Sequence, residues 1–422
     1  MANVLIREET MTAIADAIRN RNREERAYKP LEMVDGVKSI TDQEDALMEG
    51  TCVNYYNDRI TKLKADCFYS TSADYLDDPE TIELPNVVQV GQNAFRSASN
   101  IRKIILPKVE TFAGAYHCHG CKNLEEIHIP KATAIPNYFA QNCELLKTLV
   151  CPSVTSVGSS AFRMSGSSVY GKLEEIKMPL VKTIGEYGLY NQTSIKEIDF
   201  PLVENIGNYG LYGVKMKSVV MPLLQSVNTC SFYFCNALQY AEFTAVTKIN
   251  SNAFYSCSKL LALVLNNETC VSLANTNALT GSAIANKFGY IYVPRALVDT
   301  YKTATNWTTY ASQFRAIEDY PNLREEVENA DIQYCMECGQ QFILNGNEYY
   351  QSTEKLPDSI KDMQLVDEGY VCENCMEWYR TSDQSCINCG KVVDVDSDTA
   401  LFDRRMHMWY CDGDCVAEYY GV

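Results

Sequence analysis

The sequence predicts an α/β solenoid, in which short repeats stack their strands into one parallel sheet. A helical segment should precede the array, and a small metal-stapled domain should follow it. Three observations predict this. A hydrophobic pattern recurs about every 22 residues through the middle of the 422-residue chain. Eight of the 18 cysteines fall in four close pairs near the C-terminus. Residues 1–40 carry apolar positions at helical spacing. The boundaries suggested are 1–45 for the helical segment, 46–317 for the repeats and their cap, and 318–422 for the cysteine-rich domain.

In the first segment Met11, Ile14, Ala17 and Ile18 share one helical face, and Thr10 or Thr12 can cap it. Pro30 opens a second short helix with Leu31, Met33, Val34 and Val37. Two short helices bury little by themselves, so they should pack on a partner, on another copy or on the next domain. The run from Thr12 to Arg19, with Tyr28–Met33 and Val37–Ile40, resembles the N-terminal segment of tail-associated structural proteins in phages and prophages of Gram-positive bacteria. That resemblance implies attachment to other tail proteins.

The repeat is read from two aliphatic columns and a proline. Ile101, Leu124, Leu146, Leu173, Ile195 and Met216 each stand six residues before a proline. Ile104, Ile127, Leu149, Ile176, Ile198 and Val219 follow three residues later. Each pair marks one short strand, and proline ends it because it cannot donate to a ladder. One repeat cannot cover its own apolar face, whereas stacked repeats can. The pattern is clearest in Val181–Phe200 and Val246–Leu265, and it resembles the bacterial leucine-rich repeats of the BspA type. The array should run from near Tyr55 to about residue 293, and a closing helix with Trp307 and Phe314 should hide its last edge. About five extra residues around Ser165–Tyr170 should bulge as a loop.

The same repeat accounts for several cysteines. Cys121, Cys143, Cys235 and Cys257 each precede a strand anchor by three residues, and Cys118 takes the position of Phe95. These read as buried core. So does the run His117–Cys121, despite its metal-like appearance. The tyrosines of the repeated Ile-Gly-x-Tyr-Gly-Leu-Tyr motif, Tyr187, Tyr190, Tyr209 and Tyr212, should stack between repeats.

Solenoids recognise partners on their concave sheet. The outward columns there include Lys103, Glu126, Glu175, Glu197 and Tyr240, and beside them Ile105, His128, Lys177, Asp199 and Glu242. They are candidates for contact with a protein or a cell-surface glycan. The opposing reading is a solvated face with no function. The sequence offers no Ser-His-Asp spacing, glycine-rich phosphate loop or His-x-x-x-His pair, so no enzyme is expected.

The charge is as localised as the cysteines. The chain carries 37 basic and 54 acidic residues, a net −17. Residues 318–422 hold 23 acidic and 7 basic of these, and residues 1–317 hold 31 and 30. With no basic stripe to meet phosphates, nucleic-acid binding is not expected. No signal peptide is apparent, and no apolar run reaches the roughly 18 residues of a membrane span. In a reducing cytoplasm, close cysteine pairs read first as metal ligands.

Those pairs are Cys335/Cys338, Cys372/Cys375, Cys386/Cys389 and Cys411/Cys415. Eight thiolates make two closed four-cysteine sites, which predicts two structural zinc ions. Cys386–Lys391 with Trp409–Tyr420 resembles a treble-clef finger, which implies that the third and fourth pairs share one ion. Cys335–Gly339 with Cys372 and Cys375 resembles a second, ribbon-like site. The alternative joins the two inner pairs instead. His407 is a spare near one site. Asp394–Asp398 starts like a calcium loop, but Thr399 and Arg405 stand where that loop needs glycine and a carboxylate.

Together these imply a non-enzymatic binding or structural protein, associated with a phage or prophage tail and assembled in the host cytoplasm before entering the virion. The competing expectation is a cytoplasmic bacterial scaffold whose solenoid binds a protein client. Both leave room for a homo-oligomer.

Overall fold

The computed structural model describes residues 54–69, 80–166, 169–344, 349–351, 356, 368–381, 384–394, 397, 399–403 and 408–421. The N-terminal helical segment, Arg405 and His407 lie outside the described residues. The described residues divide into two units, one ending at Pro321 and one starting at Asn322.

The first unit is a parallel β-solenoid. Its longer strands form a six-stranded sheet from Asn54–Tyr56 to Glu175–Lys177 and a five-stranded sheet from Ser218–Met221 to Phe314–Ala316. Three-residue strands of the first sheet place their middle residue inward. Ile82, Ile104, Ile127 and Leu149 are all buried, and the residues on either side stay half-exposed. A second side of the solenoid consists of two-residue strands. Val90, Ile135, Val157, Ile184, Ile206, Val227 and Ile249 point inward there. Inward aliphatics from both sides and from the turns merge into one continuous core. Stacking is therefore what buries each turn.

The chain turns its corners at left-handed residues, two in most repeats, and the first of each set forms one column. Asn93, Tyr116, Tyr138, Ser160, Tyr187, Tyr209, Cys230 and Asn252 all have φ between 54° and 62°. Such backbone costs on the order of 1 kcal/mol or more at a non-glycine residue. Ring stacking offsets part of that cost. Tyr116 lies on Tyr138 at 4.6 Å, and Tyr187 on Tyr209 at 4.9 Å, with each pair of planes within 8°. Tyr190, Tyr212, Tyr233 and Tyr255 stack along the same side, as the repeated motif suggests, and all are half-buried.

The expected strand at Ile195–Phe200 is absent. Ile195 and Phe200 are buried, but Ile198 is only partly so. Neither of the longer sheets has a strand between Glu175–Lys177 and Ser218–Met221. The break does not coincide with the insertion. Thr148 pairs with Glu175, 27 residues on, because this turn contains the insertion around Ser165–Tyr170. Ser218 pairs with Tyr240, 22 residues on. The sheet thus pairs in register across the longer turn and stops only after it, and Glu197 and Asp199 are exposed and off the sheet.

The last turn is closed by side chains. A short helix Val298–Thr303, a 3-10 turn Trp307–Gln313 and the strand Phe314–Ala316 follow Tyr290–Val293. Trp307 and Tyr301 are fully buried. The Val271 amide donates to Tyr301 Oη at 2.9 Å, and Trp307 Nε1 donates to the Val271 carbonyl at 2.7 Å. Asn306 Nδ2 donates to the Leu273 carbonyl, and Tyr310 Oη to that of Thr276. The cap thus satisfies backbone groups that another turn would otherwise pair.

Candidate metal centres

The second unit repeats one local plan twice. In the first half Cys335 and Cys338 flank a tight turn, and Cys372 and Cys375 flank the start of the helix Glu373–Thr381. In the second half Cys386 and Cys389 flank the turn. The hairpin Leu401–Asp403/Met408–Tyr410 follows, and then the helix Gly413–Tyr420 holding Cys415. The hydrogen bonds match pair by pair. Gly339 N donates to Cys335 O and Gly390 N to Cys386 O, both at 2.8 Å. Met336 N donates to Tyr370 O and Ile387 N to Trp409 O, both at 2.9 Å. Gly339 and Gly390 share φ +71°, a conformation that a Cβ would strain.

The eight sulfurs gather into two groups, Cys335, Cys338, Cys372 and Cys375 in one and Cys386, Cys389, Cys411 and Cys415 in the other. Within each group the ligand atoms lie within 4.8 Å of one another. First pair meets second, and third meets fourth, so the inner pairs do not share a group. Either group could hold a metal ion. The first half is not ribbon-like, because its second pair sits at a helix start like that of the other half. The run from Cys372 to Thr381 has neither glycine nor proline, and Met376 turns inward as Val416 does in the second helix.

Local backbone favours one thiolate in each group, while burial raises the thiols of Cys372, Cys375, Cys411 and Cys415. Burial opposes ionisation of Cys335, but amides of Cys338, Cys372 and Glu337 outweigh it and bring its pKa down to about 7. Cys386 is likewise brought to about 7 against burial, by amides of Cys389, Cys411 and Asn388. Asp412 caps the last helix by accepting from Cys415 N at 2.9 Å. A small apolar core supports both groups, including Val371, Met376, Phe402, Trp409 and Val416.

The outward residues of the solenoid sheet are brought together only in part. Lys103 lies beside Glu126, and Ile105 beside His128. Lys103 Nζ meets Glu126 at 2.6 Å, and His128 Nε2 meets the same carboxylate at 3.2 Å. Glu175 and Lys177 belong to the last strand of this sheet, although the side chain of Glu175 lies outside the described residues. Tyr240 and Glu242 sit in the other sheet, where Tyr240 donates to Glu242 at 2.6 Å. Glu197 and Asp199 are on neither. Sequence reasoning missed Tyr290, Tyr292 and Arg315, which continue the columns past Ala262 and Val264. Arg315 lies over the Tyr290 ring at 4.2 Å.

The core cysteines do more than fill space. Cys121, Cys143, Cys235 and Cys257 donate to the carbonyls of Phe95, Cys118, Leu211 and Phe232 at 2.8–3.1 Å, each on the preceding turn. Gln192 takes the same place in its turn and donates to Phe162 O at 2.6 Å. Burial pushes the thiol of Cys235 up to about 12 and that of Cys257 well above its ordinary value. His117 is fully buried, its pKa lowered to about 4 by burial, with Nε2 3.1 Å from Ala113 O.

Comparison with known proteins bears on the solenoid. A leucine-rich cell surface protein of Faecalibacterium prausnitzii is 15% identical, covering 57% of this chain and 86% of its own, with a TM-score of 0.25. A leucine-rich repeat protein of Eubacterium ventriosum is 16% identical, covering 58% and 85%, with a TM-score of 0.32. The pneumococcal vaccine antigen PcpA is 12% identical, covering 62% and 87%, with a TM-score of 0.26. No curated protein matches. The family described as "BspA type Leucine rich repeat region (6 copies)" matches residues 53–169 and 166–282, more than half of the chain. With its stacked parallel strands and period near 22, this chain belongs to the BspA-type leucine-rich-repeat family.

Proposed function

We propose that the protein is a non-enzymatic binding or structural component of a phage or prophage tail, with two structural zinc ions in its C-terminal unit. The tail assignment rests on the resemblance of residues 1–40, which would join the protein to other tail proteins. The solenoid then presents its surface to a host-cell protein or glycan. The observation that carries the binding role is the repeat array itself, an extended stack whose outward polar groups pair with one another, as Lys103, Glu126 and His128 do. No helix among the described residues is long and apolar enough to cross a membrane.

The donor set suits zinc. Four thiolates about 2.3 Å from one ion stand about 3.8 Å apart in a tetrahedron. Cys338 and Cys372 are 3.9 Å apart by sulfur, and Cys389 and Cys411 are 3.5 Å apart. Four protein ligands leave no open position, so the ions would hold the fold. A knuckle, a hairpin and a ligand-bearing helix suit a treble-clef reading for the second half, and the first half supports the same reading.

A cytoplasmic scaffold is the second reading. The solenoid cysteines are thiols rather than disulfides among the described residues, which suits synthesis in a reducing compartment and fits either reading. Purified virions should contain the full chain, and removal of residues 55–317 should abolish its binding to Gram-positive cells. Absence from virions, with a protein client recovered from cytoplasm through the solenoid, would replace the first reading with the second.

A further inference from the structure

The two-residue strands form a side of the solenoid to which nothing above assigns a role. A trench of about 450 Å³ runs across it over residues 135–207. Its cause is local. Three successive turns carry Gly158, Gly185 and Gly207 just after the inward aliphatic, where earlier and later turns carry Pro136 and Asn228. A Cβ at these glycines would come within 2.5–2.6 Å of backbone nitrogen in the preceding turn, so the floor is bare backbone. At one end the furrow is filled by amides: Asn228 Nδ2 donates to Asn205 Oδ1, and Asn250 Nδ2 to Asn228 Oδ1. Parallel strands stand about 4.8 Å apart, so the four turns that line it give a trench about 14 Å long.

The chemistry of the trench selects its ligand. The floor amides are already used: Gly158, Gly185 and Gly207 donate to the carbonyls of Ile135, Val157 and Ile184, each at 2.8 Å. An extended peptide would find no free backbone ladder there. Ile135, Val157 and Ile184 point into the core and offer the trench no apolar face. The polar side chains are available instead. Asn137 spends its Oδ1 on the Ser159 amide and keeps its Nδ2. The hydroxyls of Ser156, Ser159 and Thr183 and the carboxylate of Glu186 have no protein partner among the described residues. The lining residues include no cation, which disfavours phosphate- or carboxylate-bearing ligands.

We propose that this trench is a binding subsite for a neutral or amino-bearing saccharide of two to three residues, held by hydroxyl, amide and carboxylate groups. The inference deepens the recognition reading above and rests on it only in taking the solenoid as the binding part. The size lies within the range of small-ligand sites, about 300–1,000 Å³.

The test is a printed array of neutral, amino and anionic oligosaccharides with extended peptides alongside, followed by titration of the hits against the full chain. Neutral or amino oligosaccharides should bind. Thr183→Tyr, at an exposed strand position that tolerates an aromatic residue, should block the trench and weaken binding about tenfold or more at unchanged melting temperature. If that variant misfolds, the double variant Ser159→Ala/Glu186→Ala adds no bulk and should weaken binding similarly. The proposal is overturned if no saccharide binds, if anionic glycans or peptides are preferred, or if binding survives a folded variant. Wild-type protein that adheres to cells yet binds no free saccharide would remove the trench and leave the recognition reading standing. Saccharide binding without adhesion would do the reverse.

Discussion

The two described units solve the same problem by different means. In the solenoid a turn is stable because its neighbours cover it, and core residues from Ile82 to Phe254 are buried to within a few per cent. In the C-terminal unit the buried set is small, and the chain between its short strands and helices is long. Its two cysteine groups sit where a larger domain would put more core. The array can lose a contact and keep the rest, whereas the small unit depends on whatever joins its sulfurs.

The largest expected effect tests that dependence. Metal analysis should find two zinc ions per chain. Chelation should unfold the C-terminal unit and leave the solenoid transition in place, since structural zinc contributes apparent values of about 10–16 kcal/mol in small domains. Fluorescence of buried Trp409 should change, while the β-signal of the array persists. A metal content well below two, or a unit that ignores chelators, would make the two units alike. Cys415→Ser should lower the content from two toward one. Both groups share a core, so the remaining site should also bind more weakly.

The next effect is in the array. Trp307→Ala removes a fully buried indole and its bond to the Val271 carbonyl. A loss of about 3–5 kcal/mol is expected, read by denaturant unfolding. The transition should broaden as the end of the array frays first, because stability there is a sum over neighbours. A uniform, cooperative loss would show that the solenoid behaves as one block.

The repeat is legible in the sequence because stacking imposes it on every turn, so Leu124, Leu146 and Leu173 announce themselves by spacing alone. The cysteine pairs are legible because a short turn aims two sulfurs at one point. Other features depend on partners distant in sequence. Nothing in Ile195–Phe200 itself says that its strand is lost, because its aliphatic spacing matches that of the turns that do pair. Gln192 stands in for cysteine only once the Phe162 carbonyl is seen beside it. The helix after Cys372 is readable from its lack of breakers and its inward Met376, yet ligand spacing alone suggests a ribbon.

A smaller effect probes the thiol ladder. Cys143→Ala deletes a buried donor to Cys118 O, a carbonyl that also accepts the Cys121 amide. The expected cost is about 1–2 kcal/mol. Cys143→Ser keeps a donor in nearly the same place and should recover part of it. If serine is no better than alanine in thermal unfolding, the thiol acts by volume alone.

The smallest effect belongs to the sheet surface. Lys103, Glu126 and His128 are all partly exposed, so Lys103→Ala should cost less than about 1 kcal/mol and less still in high salt. The hydrogen bond from Lys103 holds the Glu126 carboxyl below its ordinary pKa, burial opposes this, and His128 adds to it. A depressed carboxylate contributes its stability above the unfolded pKa and loses it as pH falls through the folded one. The wild-type advantage over Lys103→Ala should therefore be full near neutrality and shrink below the ordinary glutamate range. An advantage that persists in acid would mean that Lys103 acts through its packed aliphatic stem, which would bring this exposed row closer to the rule that governs the core beneath it.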